Sequence, residues 1–104
     1  MERLEKLKAF LKESPTDSFL NHALALEYLK LNNQAAAEKV FEALLERDPD
    51  YVGSYYHLGK LLEAKGEINK AIGWIEKGMA SARKAGDRHA LNELQAAYDD
   101  LVDQ

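Results

Sequence analysis

The sequence predicts an all-α protein in which a pair of antiparallel helices is repeated along the chain, and three observations predict it. Alanine, leucine, glutamate and lysine, all strong helix formers, fill a chain of 104 residues that has only two prolines and six glycines for loops. Apolar residues recur at helical spacing through most of its length. Landmarks also return 34 positions apart: Pro15 with Pro49, Leu24 with Leu58, and Ala37 with Ala71. In the same register Ala25 matches Gly59, Tyr28 matches Leu62 and Phe41 matches Ile75. With 46% hydrophobic and 31% charged residues, the composition suits one domain, 1–104, with its own core.

About six helices follow from the pattern. An N-terminal helix within residues 1–15 carries Leu4, Leu7 and Leu11. The next, from Asp17 to Leu31, turns Leu20, Leu24, Tyr28 and Leu31 inward, and Asn32-Asn33 ends it, because asparagine tolerates a left-handed turn. Its return helix, 34–47, has Ala37, Phe41, Leu44 and Leu45 on one side, and Asp48-Pro49 stops it. The scheme then recurs. Tyr55, Leu58 and Leu62 face inward until Gly66, and Ile68, Ala71, Ile75 and Met79 build the return. Arg83 stands where that return helix should meet a proline, so it is expected to run on to Ala85 before Gly86. Gly78, in place of the bulkier Leu44 of the first repeat, leaves room for a close neighbour. A last helix carries Leu91, Leu94, Tyr98 and Leu101.

The run Tyr55-x2-Leu58-Gly59-x2-Leu62 followed by Ala71-x3-Ile75 resembles the tetratricopeptide repeat (TPR), and so does Leu24-Ala25-x2-Tyr28 followed by Ala37-x3-Phe41 and Pro49. The resemblance is to a small bacterial-type protein of two and a half repeats. It divides the chain into a half repeat at 1–15, repeats at 16–49 and 50–85, and a C-terminal capping helix at 86–104. It implies a right-handed α-solenoid whose first helices line a concave groove. It also implies that the small residues Ala25, Gly59, Ala37 and Ala71 let paired helices approach closely.

On that groove side the candidate partner-binding residues are Phe19, His22, Leu26 and Lys30, with Ala23 between them; their spacing keeps them on one helical face. The equivalents are Tyr56, His57 and Lys60 on the second first helix, and His89, Asn92 and Glu93 on the last helix. Phe19 and Leu26 are either covered by the chain's own terminal helices or form the apolar end of a peptide-binding groove. Tyr56 and His57 offer rigid contact area and a hydrogen bond. The chaperone-binding members of the family resemble one another in a clamp of lysine, asparagine and arginine for a C-terminal carboxylate. The matching positions here are His22, Leu26, His57, His89 and Glu93, and the carboxylate of Glu93 has the wrong sign. Trp74 reads as edge packing on the opposite wall.

Other function classes find little support. Net charge is −4 and the lysines of the first helix are interleaved with glutamates, which argues against nucleic acid. There is no cysteine for a thiolate metal site or a disulfide. His89 and Glu93 supply two ligands where a metal wants three or four. No nucleophile elbow, phosphate-cradling loop or zinc-protease signature is present. The charged start "MERLEKLKAF" and the lack of a long apolar run point to a cytoplasmic setting away from membranes. The expectation is a non-enzymatic adaptor without cofactor or metal, binding a peptide or helix of another protein in its groove. Self-association into a homodimer is the alternative.

Overall fold

The computed structural model describes residues 2–104, so Met1 of the expected half repeat lies outside the described residues. These residues form six helices and no strand: α1 (Glu2–Glu13), α2 (Ser18–Lys30), α3 (Gln34–Arg47), α4 (Gly53–Ala64), α5 (Ile68–Ala85) and α6 (Arg88–Val102). They fall into two compact units, α1–α3 within residues 2–48 and α4–α6 in residues 49–104.

In the first unit, α2 starts where Asp17 caps it, its carboxylate accepting from the backbone N–H of Leu20 at 2.9 Å. The cap satisfies a donor that the first helical turn leaves orphaned. The helix ends as Asn32 takes φ 63°, a left-handed value that asparagine adopts at modest cost. Asn33 then caps α3 by accepting from the N–H of Ala36. Ala37, Phe41 and Leu44 of α3 are wholly buried, as is Ala25 of α2. The Ser18 hydroxyl donates to the Asp48 carboxylate, tying the start of α2 to the end of α3.

α1 lies on α2 through a cluster of Leu4, Leu7, Ala23 and Leu24, with Leu11, Leu20, Tyr28 and Val40 packed against it. Two sequence expectations fail here. Ala23 is not on an open face, because α1 crosses α2 there and the small side chain lets it come close. Leu31 is not core: it is the C-cap residue, beyond the last turn that has a partner helix, and is 40% exposed.

In the second unit the chain turns at Pro49, whose carbonyl accepts a 2.7 Å hydrogen bond from the Tyr55 hydroxyl, so the aromatic ring of α4 holds the turn that precedes it. α4 and α5 meet over Gly59, where an added Cβ would sit 2.3 Å from Ile75 Cδ1. Gly78 is less forgiving, because it meets the base of a side chain and not its flexible end. A Cβ there would lie 2.6 Å from Tyr55 Cβ and 3.2 Å from Leu94 Cδ1, so α4, α5 and α6 converge on one hydrogen atom. α5 does extend to Ala85, and Gly86 closes it with φ 70°. Asp87 then caps α6, accepting from the N–H of Ala90. Leu94, Ala97 and Leu101 bury the inner side of α6. Trp74 is half-buried at the edge of α5, its ring 6.3 Å from that of Tyr55 and the Lys77 ammonium 4.5 Å above it.

Two glycines of α5 separate these effects. Gly73 has nothing within 4 Å of a Cβ, so Gly73→Ala should stabilise the protein by about 0.5–1 kcal/mol through helix propensity alone. Gly78→Ala makes the same backbone gain but strikes the Tyr55 Cβ, which cannot swing away. Overpacking of about 1–3 kcal/mol should make it net destabilising. Urea denaturation of both variants checks this; a stabilised Gly78→Ala would refute the three-helix junction.

Candidate functional site

The core stripe of α4 and its outer face are one residue out of step. Tyr55 is 2% exposed and Leu58 wholly buried. Tyr56 and His57, immediately between them in sequence, fall to the side and are half-buried. Their rings meet edge to face with centroids 5.9 Å apart. One turn on, the Lys60 ammonium binds Glu63 Oε1 at 2.9 Å. The other oxygen of that carboxylate accepts from Gln104 Nε2 at 2.9 Å, linking α4 to the last residue of the chain just beyond α6.

Electrostatics place residues of α6 on this same face. Burial pushes the His57 imidazole below its ordinary range, and the charge of Glu93 opposes the shift. The hydrogen bond that Lys60 donates to Glu63 raises its pKa above the ordinary lysine value; burial works against this, and the charges of Glu63 and Asp100 add to the rise. Lys60 is therefore an ammonium already engaged by a carboxylate, and His57 is an imidazole biased toward its neutral form. His89, Asn92 and Glu93 are exposed on α6. Among the described residues no group of three or more histidine, cysteine, aspartate or glutamate side chains could hold a metal ion, so His89 and Glu93 find no third ligand.

In the first unit, Phe19 is 68% exposed on α2, so α1 does not cover it; Leu26 is half-buried and Lys30 exposed. His22 is half-buried, its ring 5.9 Å from that of the buried Phe41 and tilted 63° to it. That imidazole therefore borders the α2–α3 core. Sequence reasoning missed Glu27 altogether. Its side chain is 7% exposed, and Oε1 lies 3.3 Å from Arg3 Nε of α1. Five residues further along α1, Lys8 stands 5.8 Å over the Tyr28 ring. No spacing within a single helix signals such a pair, since its members come from different helices.

Residues 28–98 match the tetratricopeptide repeat family profile. The chain belongs to the tetratricopeptide repeat family. A TPR domain protein of Salinibacter ruber, known from its crystal structure, is 46% identical, with 82% of this chain and 94% of that chain aligned and a TM-score of 0.79. A TPR repeat-containing protein of Pseudomonas aeruginosa is 29% identical over 91 residues, 88% of this chain and 87% of its own length. The aspartyl/asparaginyl beta-hydroxylase of Mus musculus is 28% identical over 81 residues, 78% of this chain but only 11% of the hydroxylase. The TPR2B domain of yeast Sti1, solved as a complex with pHsp70, aligns with a TM-score of 0.88 over 97% of this chain and 81% of that one. Its 18% identity makes that likeness one of fold alone. The tetratricopeptide repeat is a general protein–protein interaction module, and the six helices here are its all-α helical repeat. In this TPR chain, no helix among the described residues is long and apolar enough to cross a membrane.

The His57 environment yields a pH prediction. Its folded pKa lies below the unfolded value of 6.5, so the unfolded chain takes up the proton first as pH falls. This residue should therefore cost stability from about pH 6.5 downward, levelling off only once the folded imidazole is also protonated, and it should cost nothing above that range. Glu93→Gln removes a charge opposing the shift and should lower the His57 pKa further, read from imidazole chemical shifts in an NMR titration. A rise on that substitution would place Glu93 elsewhere.

Proposed function

We propose that the chain is a non-enzymatic adaptor that binds a peptide or helix of another protein through the groove-side faces of its first helices. Within the second unit the face is Tyr56, His57 and Lys60 on α4 beside His89, Asn92 and Glu93 on α6. Within the first unit it is Phe19, His22, Leu26 and Lys30 on α2. The observation that carries the reading is the Tyr56–His57 ring pair. Two adjacent aromatic groups stand half out of a helix whose neighbouring positions are closed against α5, which is the kind of rigid area that hot spots use. The Sti1 complex supports a protein ligand for the fold in general. The engaged state of Lys60 and the sign of Glu93 speak against a carboxylate-terminal peptide on this face.

Membership of the family supports the non-enzymatic part. The aligned stretch of the hydroxylase, 11% of its length, leaves that enzyme's activity outside the likeness. We read the chain as one TPR-like domain, 1–104, acting in the cytoplasm without cofactor or metal. Self-association is the second reading, and Phe19 at 68% and Phe10 at 59% exposure are the observation that favours it.

A photo-crosslinking phenylalanine analogue placed at position 56, or at position 77 as a control, tests the reading in living cells. A discrete protein adduct from position 56 that is absent from position 77 is expected, and His57→Ala should weaken it. Adducts from position 77 alone would move the site to the other wall. Adducts only with a second copy, together with a dimer mass in sedimentation that Phe19→Ser abolishes, would establish self-association.

A further inference from the structure

The side of α2 that flanks the proposed binding residues, with Ala23 at the border between them, also has the chemistry of a site, and a helix already occupies it. α1 contributes only two buried side chains, Leu4 and Leu7, from its twelve residues, while Phe10 remains 59% exposed. Its polar anchors, the Arg3–Glu27 ion pair and Lys8 over Tyr28, both come from exposed cations. What lies beneath is unlike an ordinary surface helix. Leu20, Ala23, Leu24 and Tyr28 form an apolar strip, and at its edge is a carboxylate that is almost completely buried.

We propose that this face of α2 is a docking site for a basic amphipathic helix, and that α1 is a displaceable occupant that masks it. The ligand chemistry is written in α1 itself. Leucines at i, i+3 and i+7 (Leu4, Leu7 and Leu11) fill the strip, and an arginine immediately before the first of them reaches Glu27. The occupant is a partner helix with that same order of arginine and leucines. Glu27 sets the selectivity. A buried carboxylate left without a cation is costly, so a helix that offers leucines but no arginine or lysine at that position leaves the site worse than empty. An incoming helix must also outcompete a tethered one, and α1 meets that competition with few buried contacts. Segments with few apolar contacts open below the free energy of global unfolding.

The test uses the full chain carrying Leu4→Asp and Leu7→Asp, which strips α1 of its apolar anchors and leaves the α2 face open. The probe is a fluorescein-labelled peptide with the sequence of residues 2–13. Saturable binding is expected by fluorescence anisotropy. It should weaken roughly tenfold or more when the peptide carries Arg3→Glu, and similarly when the protein also carries Glu27→Gln, since one charge-assisted contact is lost. No binding to a variant whose circular dichroism loses only the α1 contribution would overturn the proposal. So would binding that is indifferent to both charge substitutions. Should the double variant lose the fold, hydrogen exchange on the unaltered protein decides the matter. The amides of α1 should exchange through an opening that leaves α2 and α3 protected, and Arg3→Glu should speed α1 alone. Equal protection across the three helices would overturn it.

Discussion

Close approach of the helices, made possible where a side chain shrinks to a methyl or a single hydrogen, is the constraint on which each unit depends. In the second unit Gly59 admits Ile75, and Gly78 admits both the Tyr55 Cβ and Leu94. A glycine inside a helix sacrifices stability relative to alanine, so its presence at the point of contact shows what the packing demands. Once those backbones are in contact, the large residues around them have nowhere to go but inward, and Leu58, Leu62 and Ile75 are wholly buried. Tyr55 then does two things at once. Its ring base fills the Gly78 notch and its hydroxyl reaches the Pro49 carbonyl, so the packing also fixes the turn at the start of the unit.

The candidate binding face follows from that same packing by a displacement of one residue. With Tyr55 and Leu58 locked against α5, helical geometry carries Tyr56 and His57 about 100° around the axis per residue. They therefore stay partly in solvent without any special design of their own. What the structure adds is the company they keep. α6 brings Glu93 within electrostatic range of His57 and Asp100 within range of Lys60, and Gln104 completes the link to Glu63. The result is a face with a neutral-leaning imidazole and an engaged ammonium, which suits hydrogen bonding and stacking better than capture of an anion.

In the first unit the same geometry produces a different outcome. Phe19 stays in the open, whereas His22 is drawn against Phe41 and Ala23 disappears beneath α1. Three residues that share a face on a helical wheel have three different environments, because neighbouring helices approach α2 from both sides.

The sequence by itself determined the helices, their order and most of their ends. Capping residues such as Asp17, Asn33 and Asp87, the left-handed positions at Asn32, Gly66 and Gly86, and the apolar spacing are local or periodic features, and the chain carries them wherever it folds. It also marked the close-contact glycines, since a small residue in a helical stripe has few other reasons to be there. Only the tertiary structure decided which half-exposed residues belong to a face and which to a seam. It buried Ala23, exposed Leu31, and paired Arg3 with a Glu27 that sequence reading had passed over. The physical reason is that burial and ion pairing depend on which helix crosses where, and a crossing is fixed jointly by two elements whose residues lie far apart along the chain.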